Sequence, residues 1–220
     1  MPSARPLTEE YLSAILEANE QVNLTRITDH DQATLLHLED SLVALPEMEI
    51  APPGRYADLG SGGGFPGVPL ALATGRETLL VDSVQKKMRV VSEVLEQLGL
   101  DSQIKTYGGR IEDLALEQPK AFAVVTARAL SSLPSLLELA SPLLEKDGLL
   151  VCFKAPVSSD EARAASIVAP LVGMELHDQR ELVLSDGQTR RMILTYRKVR
   201  KPALKLPRRV GLAQKKPLSE

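Results

Sequence analysis

The apolar positions of this chain fall into two regimes. Over 8–22 they recur at helical spacing, with Tyr11, Leu12, Ile15 and Leu16 forming one stripe and Thr8 placed to cap it. Asn23-Leu24-Thr25-Arg26 breaks the pattern. A second helix is expected from Asp29, a cap residue with Gln32 three positions on, to about Leu45, with Leu35, Leu38, Leu42 and Leu45 on one face. Pro46, Pro52, Pro53 and Gly54 then read as a linker.

Beyond the linker, short apolar runs alternate with helical patterns, which predicts an α/β fold with a mainly parallel sheet covered on both faces. Strands are expected to end at Leu59 and Asp82, over 103–107, over 122–127 and over 148–153. A helix is expected over 84–98 with Val84, Met88, Val91, Val94, Leu95 and Leu98 on one side, and another from Ser131 or Ser132 to Leu144. Ser158 and Glu161 read as a capping box. Segments 174–184 and 191–196 flank Ser185-Asp186-Gly187 and read as a terminal hairpin. The organisation expected is a helical segment over 1–50, an α/β domain over 51–197 and a basic tail over 198–220.

Composition narrows the class. The hydrophobic fraction is 44% but aromatics are 3% and Trp is absent, so aliphatic packing carries the core. Cys152 is alone, which excludes an internal disulfide and points to a reducing compartment, the cytoplasm. No basic-then-apolar leader is present at the start, and no run approaches the ~18 apolar residues of a membrane span. The net charge of −3 conceals an asymmetry. Arg197, Lys198, Arg200, Lys201, Lys205, Arg208, Arg209, Lys215 and Lys216 are followed by a single carboxylate, Glu220, while the body is acidic. A basic tail on an acidic body fits a polyanionic partner met at one face, or a solubilising tail.

The candidate chemistry centres on Asp58-Leu59-Gly60-Ser61-Gly62-Gly63-Gly64-Phe65-Pro66-Gly67, a strand end running into a glycine-rich turn and then a helix. Such a turn lets the backbone approach a ligand and presents free N–H groups at the helix start. Counted from Gly60, the dinucleotide pattern G-x-G-x-x-G fails, because Phe65 stands where its third glycine belongs. Counted from Gly62 it survives only in a frame that starts late. D-x-G-x-G-x-G fits the strand end, and Asp58 suits a ligand with a positive centre better than a pyrophosphate.

Ligands of open α/β sheets bind at the carboxyl ends of the strands. Asp82 there can accept the two ribose hydroxyls of an adenosine, or cap a helix. Ile111-Glu112 can flank an adenine ring, and Arg128 and Lys154 close two further strands; taken alone, Glu112, Arg128 and Lys154 read more simply as solvated loop charges. His30, His37 and His177 are far apart and Cys152 has no partner at zinc spacing, so no metal is expected. His37, beside Glu39 and Asp40, reads as a surface or cap residue, and Ser61 as structural. Spacing assigns no catalytic residue.

Several elements together resemble one family. Asn23-Leu24-Thr25, His37-Leu38-Glu39-Asp40-Ser41-Leu42, the glycine turn with Phe65-Pro66-Gly67, Val81-Asp82-Ser83 with Lys86-Lys87, Gly109-Arg110-Ile111-Glu112 and Ala127-Arg128-Ala129 occur in the order of the RsmG (GidB) family, guanine-N7 methyltransferases of bacterial small-subunit ribosomal RNA. The resemblance runs from Asn23 to Leu218. It implies a Rossmann-like class I fold with S-adenosyl-L-methionine as methyl donor, contacted by Gly60, Phe65, Ile111, Glu112 and Arg128 with Asp82 near its ribose. It also implies 16S ribosomal RNA or the small subunit as partner, with no membrane and no metal; the chain is expected to act as a monomer. Leu206, Ala213 and Ala155 stand where the family usually has Tyr, Pro and Gly.

That reaction needs no catalytic base, since guanine N7 carries a lone pair and no hydrogen. On this reading Asp58, Asp82, Glu112 and the glycine turn hold the cofactor, and Arg128 and Lys154 are candidates to align RNA. The alternatives are a methyltransferase of another substrate and a non-catalytic RNA-binding assembly factor.

Overall fold

The computed structural model describes residues 4–20 and 22–218, with side chains from residue 6 onward. A seven-stranded sheet in the order β3-β2-β1-β4-β5-β7-β6 forms its centre. The strands are β1 (Tyr56–Leu59), β2 (Thr78–Asp82), β3 (Ile104–Gly108), β4 (Phe122–Arg128), β5 (Leu144–Lys154), β6 (Met174–Val183) and β7 (Arg190–Lys198). The first five run parallel, and β7 inserts antiparallel between β5 and β6. Chain reversal at β1 places β2 on one side and β4 on the other, and the crevice between them opens beyond Leu59.

Side-chain alternation assigns the two faces. Ala57 and Leu59 point with Val81, Val125 and Ala127 into a cluster closed by α7 (Ile111–Glu117), α8 (Leu133–Ala140) and α9 (Ser159–Leu171). Tyr56 and Leu80 point the other way. There α1 (Ala4–Asn19), α4 (Leu45–Ile50), α5 (Gly67–Thr74) and α6 (Gln85–Gln97) cover the sheet. With both faces covered, β1 and β4 are buried almost end to end, which is why they read as apolar runs and not as alternations. Helix α1 shares its core with α5 and α6: Tyr11, Leu12 and Ile15 pack with Phe65, Val68, Val91 and Leu95.

Local differences from the sequence reading have physical causes. Helix α1 begins at Ala4, so Thr8 is a buried position inside the helix and not its cap; of the expected end, position 21 lies outside the described residues. The helix expected from Asp29 starts as proposed, with Gln32 N donating to Asp29 Oδ1 at 2.9 Å. It then breaks into α2 (His30–Ala33), a π turn (Thr34–Glu39) and α3 (Asp40–Leu42). The wider π turn rotates the following residues, so His37 and Leu38 are both buried while Leu35, Leu42 and Leu45 are only half-buried. Pro46 sits in the first turn of α4. Val84 caps α6 and is 46% exposed, outside the buried stripe. Helix α8 stops at Ala140 because β5 already begins at Leu144.

Residues 199–218 lie against the body and include a short α10 (Leu212–Lys215). Arg208 forms a two-pronged ion pair with Glu138 of α8 (2.7 and 2.6 Å), and Ser135 Oγ donates to Ala213 O at 2.8 Å. Lys198 belongs to β7 and its ammonium is buried, donating to Ser141 Oγ and Val172 O. The ammonium of Lys198 and the guanidinium of Arg208 are therefore engaged internally, which removes them from the expected array of free tail cations.

Candidate functional site

The end of β1 leads into the glycine turn, and the end of β2 meets it through Asp82. Gly60 N and Ser61 N both donate to Val81 O (2.8 and 3.1 Å), folding the turn back over β2. Asp82 Oδ2 accepts from Gly62 N at 3.1 Å and Oδ1 from Val84 N at 2.9 Å. One carboxylate thus joins the turn to the start of α6. Its remaining lone pairs face a cleft of about 100 Å³ walled by Gly60, Ser83, Ile111, Glu112, Leu130 and Gln214. Gly60 adopts φ +71°, and a Cβ there would stand 2.7 Å from Leu130 Cδ1, so this wall tolerates only glycine without movement.

The donor and acceptor set fits a nucleoside. A carboxylate at a strand end suits a pair of hydroxyls, and Ile111 and Leu130 supply apolar contact for a flat ring. Glu112, 8% exposed, uses Oε1 to accept from Gly211 N at 2.7 Å. Tail and cleft are therefore physically joined, with Gln214 as part of the wall.

Asp58 does something different from its sequence reading. It points away from the cleft, to the α5 face, and is fully buried. Oδ1 accepts from Thr126 Oγ1 at 2.6 Å and Oδ2 from Gly67 N at 3.0 Å, while Tyr56 Oη donates in turn to Thr126. Burial pushes its carboxyl up to about 7 against the pull of these donors and of Arg128. Asp58 bolts β1 to β4 and to the start of α5 and holds the turn from behind, so it does not face a cationic ligand.

Phe65 and Arg128 also lie off the cleft. The Phe65 ring is 5% exposed, stacks on His37 (4.6 Å, 9° between planes) and meets Tyr11 edge-on. Arg128 Nη1 donates to Leu36 O and to Asp40 Oδ2, both at 2.8 Å. Asp40, 1% exposed, receives a second guanidinium from Arg191 at 2.7 Å. Lys154 is tied to Glu161 Oε1 at 2.8 Å and Ser131 O at 3.1 Å, and Glu161 Oε1 also accepts from Leu133 N. Glu161 therefore serves Lys154 and α8 and completes only half of the expected capping box; the other half, Glu161 N to Ser158 Oγ, is present. Ser61 is buried inside the turn.

The structure thus gathers Gly60, Asp82, Ile111 and Glu112 around one cleft and places Phe65 and Arg128 in a supporting layer. That layer is built on His37-Leu38-Glu39-Asp40-Ser41-Leu42. His37 is a core residue, not a surface one: Nε2 pairs with Thr25 Oγ1 at 2.8 Å, and burial with the nearby Arg128 charge lowers it to about 4. Among the described residues, no group of three or more His, Cys, Asp or Glu could hold a metal ion, and no helix is long and apolar enough to cross a membrane.

The family model described as rRNA small subunit methyltransferase G matches residues 5–188. The chain belongs to this family. Curated relatives in it carry the name ribosomal RNA small subunit methyltransferase G. One from Desulfitobacterium hafniense (strain Y51) is 35% identical over 211 residues, covering 94% of this chain and 87% of the relative. One from Lactobacillus helveticus (strain DPC 4571) is 33% identical over 213 residues, covering 94% and 88%.

Among solved structures, a geranyl diphosphate methyltransferase complexed with GPP and sinefungin superposes with a TM-score of 0.57 at 12% identity, over 72% of this chain and 78% of that one. The same type of enzyme complexed with SAM gives 0.54 at 13%, over 76% and 84%. These likenesses establish the Rossmann-like class I methyltransferase fold. The family match extends through the His37–Leu42 segment, whose side chains build the supporting layer. Sequence spacing could not reveal that layer, because it depends on partners as far as 151 positions away. Nor could it place Gly211 and Gln214 at the cleft.

Proposed function

We propose that the protein transfers a methyl group from S-adenosylmethionine to N7 of one guanine in 16S ribosomal RNA, acting in the cytoplasm as a monomer. The observation that carries the reading is Asp82, fixed by the glycine turn and the start of α6, with free lone pairs facing a cleft bounded by Gly60, Ile111 and Glu112. Family membership supplies the substrate class.

When bound, S-adenosylmethionine supplies a methyl activated on a sulfonium. Asp82 would accept from the ribose hydroxyls, Ile111 would pack on the adenine, and Glu112 would flank it. Gly60 allows the ligand to approach the backbone, while Phe65 on His37 and Arg128 on Asp40 hold the turn and the β4 end rigid. No residue need move a proton, since N7 offers its lone pair directly. Orientation of this kind can supply ~7–11 kcal/mol of a barrier. A guanidinium contacting both O6 and N7 would occupy the attacking lone pair, so productive recognition leaves N7 free.

The test is methyl transfer from labelled S-adenosylmethionine to small subunits lacking the modification, with deproteinised 16S RNA in parallel, followed by mapping of the label. Label at N7 of a single guanine is expected. Tight S-adenosylhomocysteine binding with no RNA label on either substrate would overturn the assignment of substrate while leaving the cleft reading intact.

A further inference from the structure

On the side of the domain where β4 and β5 begin, away from the strand ends that form the cleft, lies a larger cavity of about 430 Å³. That volume lies within the roughly 300–1,000 Å³ of pockets that take small ligands. Its lining is apolar in part, formed by Leu144, Leu206 and Pro207, with the exposed Leu116 at the mouth. Its lining includes five cations, Lys120, Lys146, Lys198, Arg200 and Lys201, and no carboxylate. In a chain whose net charge is −3, that is a local inversion of the field.

The cations come from three separate segments: the turn before β4, the early part of β5, and the exit from β7 into the tail. Lys120, Lys146 and Lys201 form no ion pair among the described residues, and all three are exposed. Lys198 stands at the base of the cavity with its ammonium on two neutral acceptors, Ser141 Oγ and Val172 O. Burial and the neighbouring Lys120 push it down to about 8, which leaves it charged at neutral pH and able to pair with an incoming anion. Lys120 itself is held at φ +55°, a conformation costly for a residue with a Cβ, which sets its side chain at the rim.

We infer that this cavity is a second RNA subsite, in which one unstacked base lies on the apolar part of the lining while the flanking phosphates meet the lysine rim. An apolar surface without a dense array of polar groups accepts a base by its face, and a cation-only rim drawn from three segments tracks an extended polyanion better than a compact one. Such a subsite adds affinity without selecting sequence. It rests on the reading of ribosomal RNA as substrate, and it explains why the tail begins where it does: residues 199–207 form one wall of the cavity before the chain continues to the cofactor cleft.

The experiment uses the full chain, a fluorescein-labelled single-stranded RNA of twelve nucleotides, and the same RNA carrying 4-thiouridine for photo-cross-linking. Replacing Lys146 and Lys201 by Ala should lower the slope of log affinity against log salt by about 1.4, the value for two phosphate contacts on a single strand. Leu116→Glu, at a position 69% exposed, should weaken binding at least fivefold by replacing apolar contact at the mouth with a carboxylate beside the lysines. Lys105→Ala, an exposed lysine on β3 outside the cavity, should leave the slope within half a unit of wild type. Cross-links are expected on 116–120, 142–146 or 199–207, with S-adenosylhomocysteine affinity unchanged throughout. A wild-type protein that methylates subunits while RNA binding ignores the cavity variants, or cross-links only beside the cleft, overturns the subsite and leaves the activity standing. A wild type that binds neither RNA nor S-adenosylhomocysteine overturns the activity reading and the subsite with it.

Discussion

The guanidinium of Arg128 donates to the carboxylate of Asp40 at 2.8 Å, tying the end of β4 to the helical segment 88 positions earlier. Arg191 of β7 reaches the other oxygen of the same carboxylate. Asp40 is 1% exposed and its partners keep 15% and 22% of their side-chain surface, so solvent screens the guanidiniums in part but the carboxylate hardly at all. Asp40→Asn retains the shape and removes the charge both arginines neutralise. A loss of roughly 3 kcal/mol is expected, the lower end for breaking a buried pair, because the arginines can still reach water. Arg191→Met should cost less, since Arg128 remains. Urea unfolding of the two variants checks the order; equal midpoints for Asp40→Asn and wild type would remove the network from any account of stability.

Asp58 and His37 should impose opposite pH dependences. The fold keeps the Asp58 proton from the unfolded value near 3.8 up to about 7. Across that window the folded state binds more protons, so this group's contribution to stability falls as pH rises. His37 stays neutral in the fold down to about 4, whereas the unfolded imidazole takes its proton near 6.5. Its contribution is fully present above 6.5 and is lost as pH falls. Between 4 and 6.5 the two slopes offset each other in the wild type. Subtracting the wild-type stability curve from that of Asp58→Asn should leave a difference that rises with pH, and from that of His37→Gln one that falls. Differences of the same sign would contradict the burial assigned to one of the two groups.

The strand and helix alternation was legible because β1, β2, β4 and β5 are buried on both faces and so read as uninterrupted apolar runs. The glycine turn and Asp82 were legible because their geometry is local, fixed within a few positions of Gly60 and Val84. His37 was misread because its burial comes from Phe65, 28 positions on, and from a π turn that no periodicity announces. Helix α7, at seven residues, is too short for a helical stripe to show. The tail read as free cationic charge because Glu138 and Glu112, which hold it, lie 70 and 99 positions upstream.

Tyr11 and Gly64 form a steric pair. Tyr11 Oη donates to Gly63 O at 3.0 Å, and its hydroxyl fills the place a Cβ on Gly64 would take; Gly64 itself sits at φ +87°. Gly64→Ala therefore meets a clash and a backbone penalty together, the second worth roughly 1–2 kcal/mol. Tyr11→Phe alone should cost about 1 kcal/mol for the lost hydrogen bond. Combined, the two should cost at least about 0.5 kcal/mol less than their sum, because the overlap with the hydroxyl is removed while the backbone penalty and the 3.1 Å contacts with Tyr11 Cζ and Val68 Cγ2 stay. Strict additivity in chemical denaturation would mean that the hydroxyl is not what excludes a side chain at position 64.

The tail should be separable from the fold at one point and not at another. A chain ending at Arg197 lacks Lys198, whose buried ammonium holds Ser141 and Val172, and Val199, Arg200 and Ala203, whose N–H groups bond to Gly173 and Leu171. It should unfold at markedly lower temperature or fail to fold. A chain ending at Pro207 keeps all of these and loses only the strap that reaches Glu138, Ser135 and Glu112. It should still fold but melt below the full chain, because Glu138, 3% exposed, is left without Arg208, and the cleft loses Gln214 from its wall and the bond from Gly211 N to Glu112. A hydrogen bond to a charged group contributes about 1.5–3 kcal/mol, enough for a roughly tenfold effect. If the strap covers the cleft, S-adenosylhomocysteine should both enter and leave faster in stopped-flow measurements, with affinity nearly constant. If the strap instead competes for Glu112, only entry should accelerate and affinity should rise. Unchanged rates in both directions would show that the contact with Gly211 has no bearing on ligand exchange.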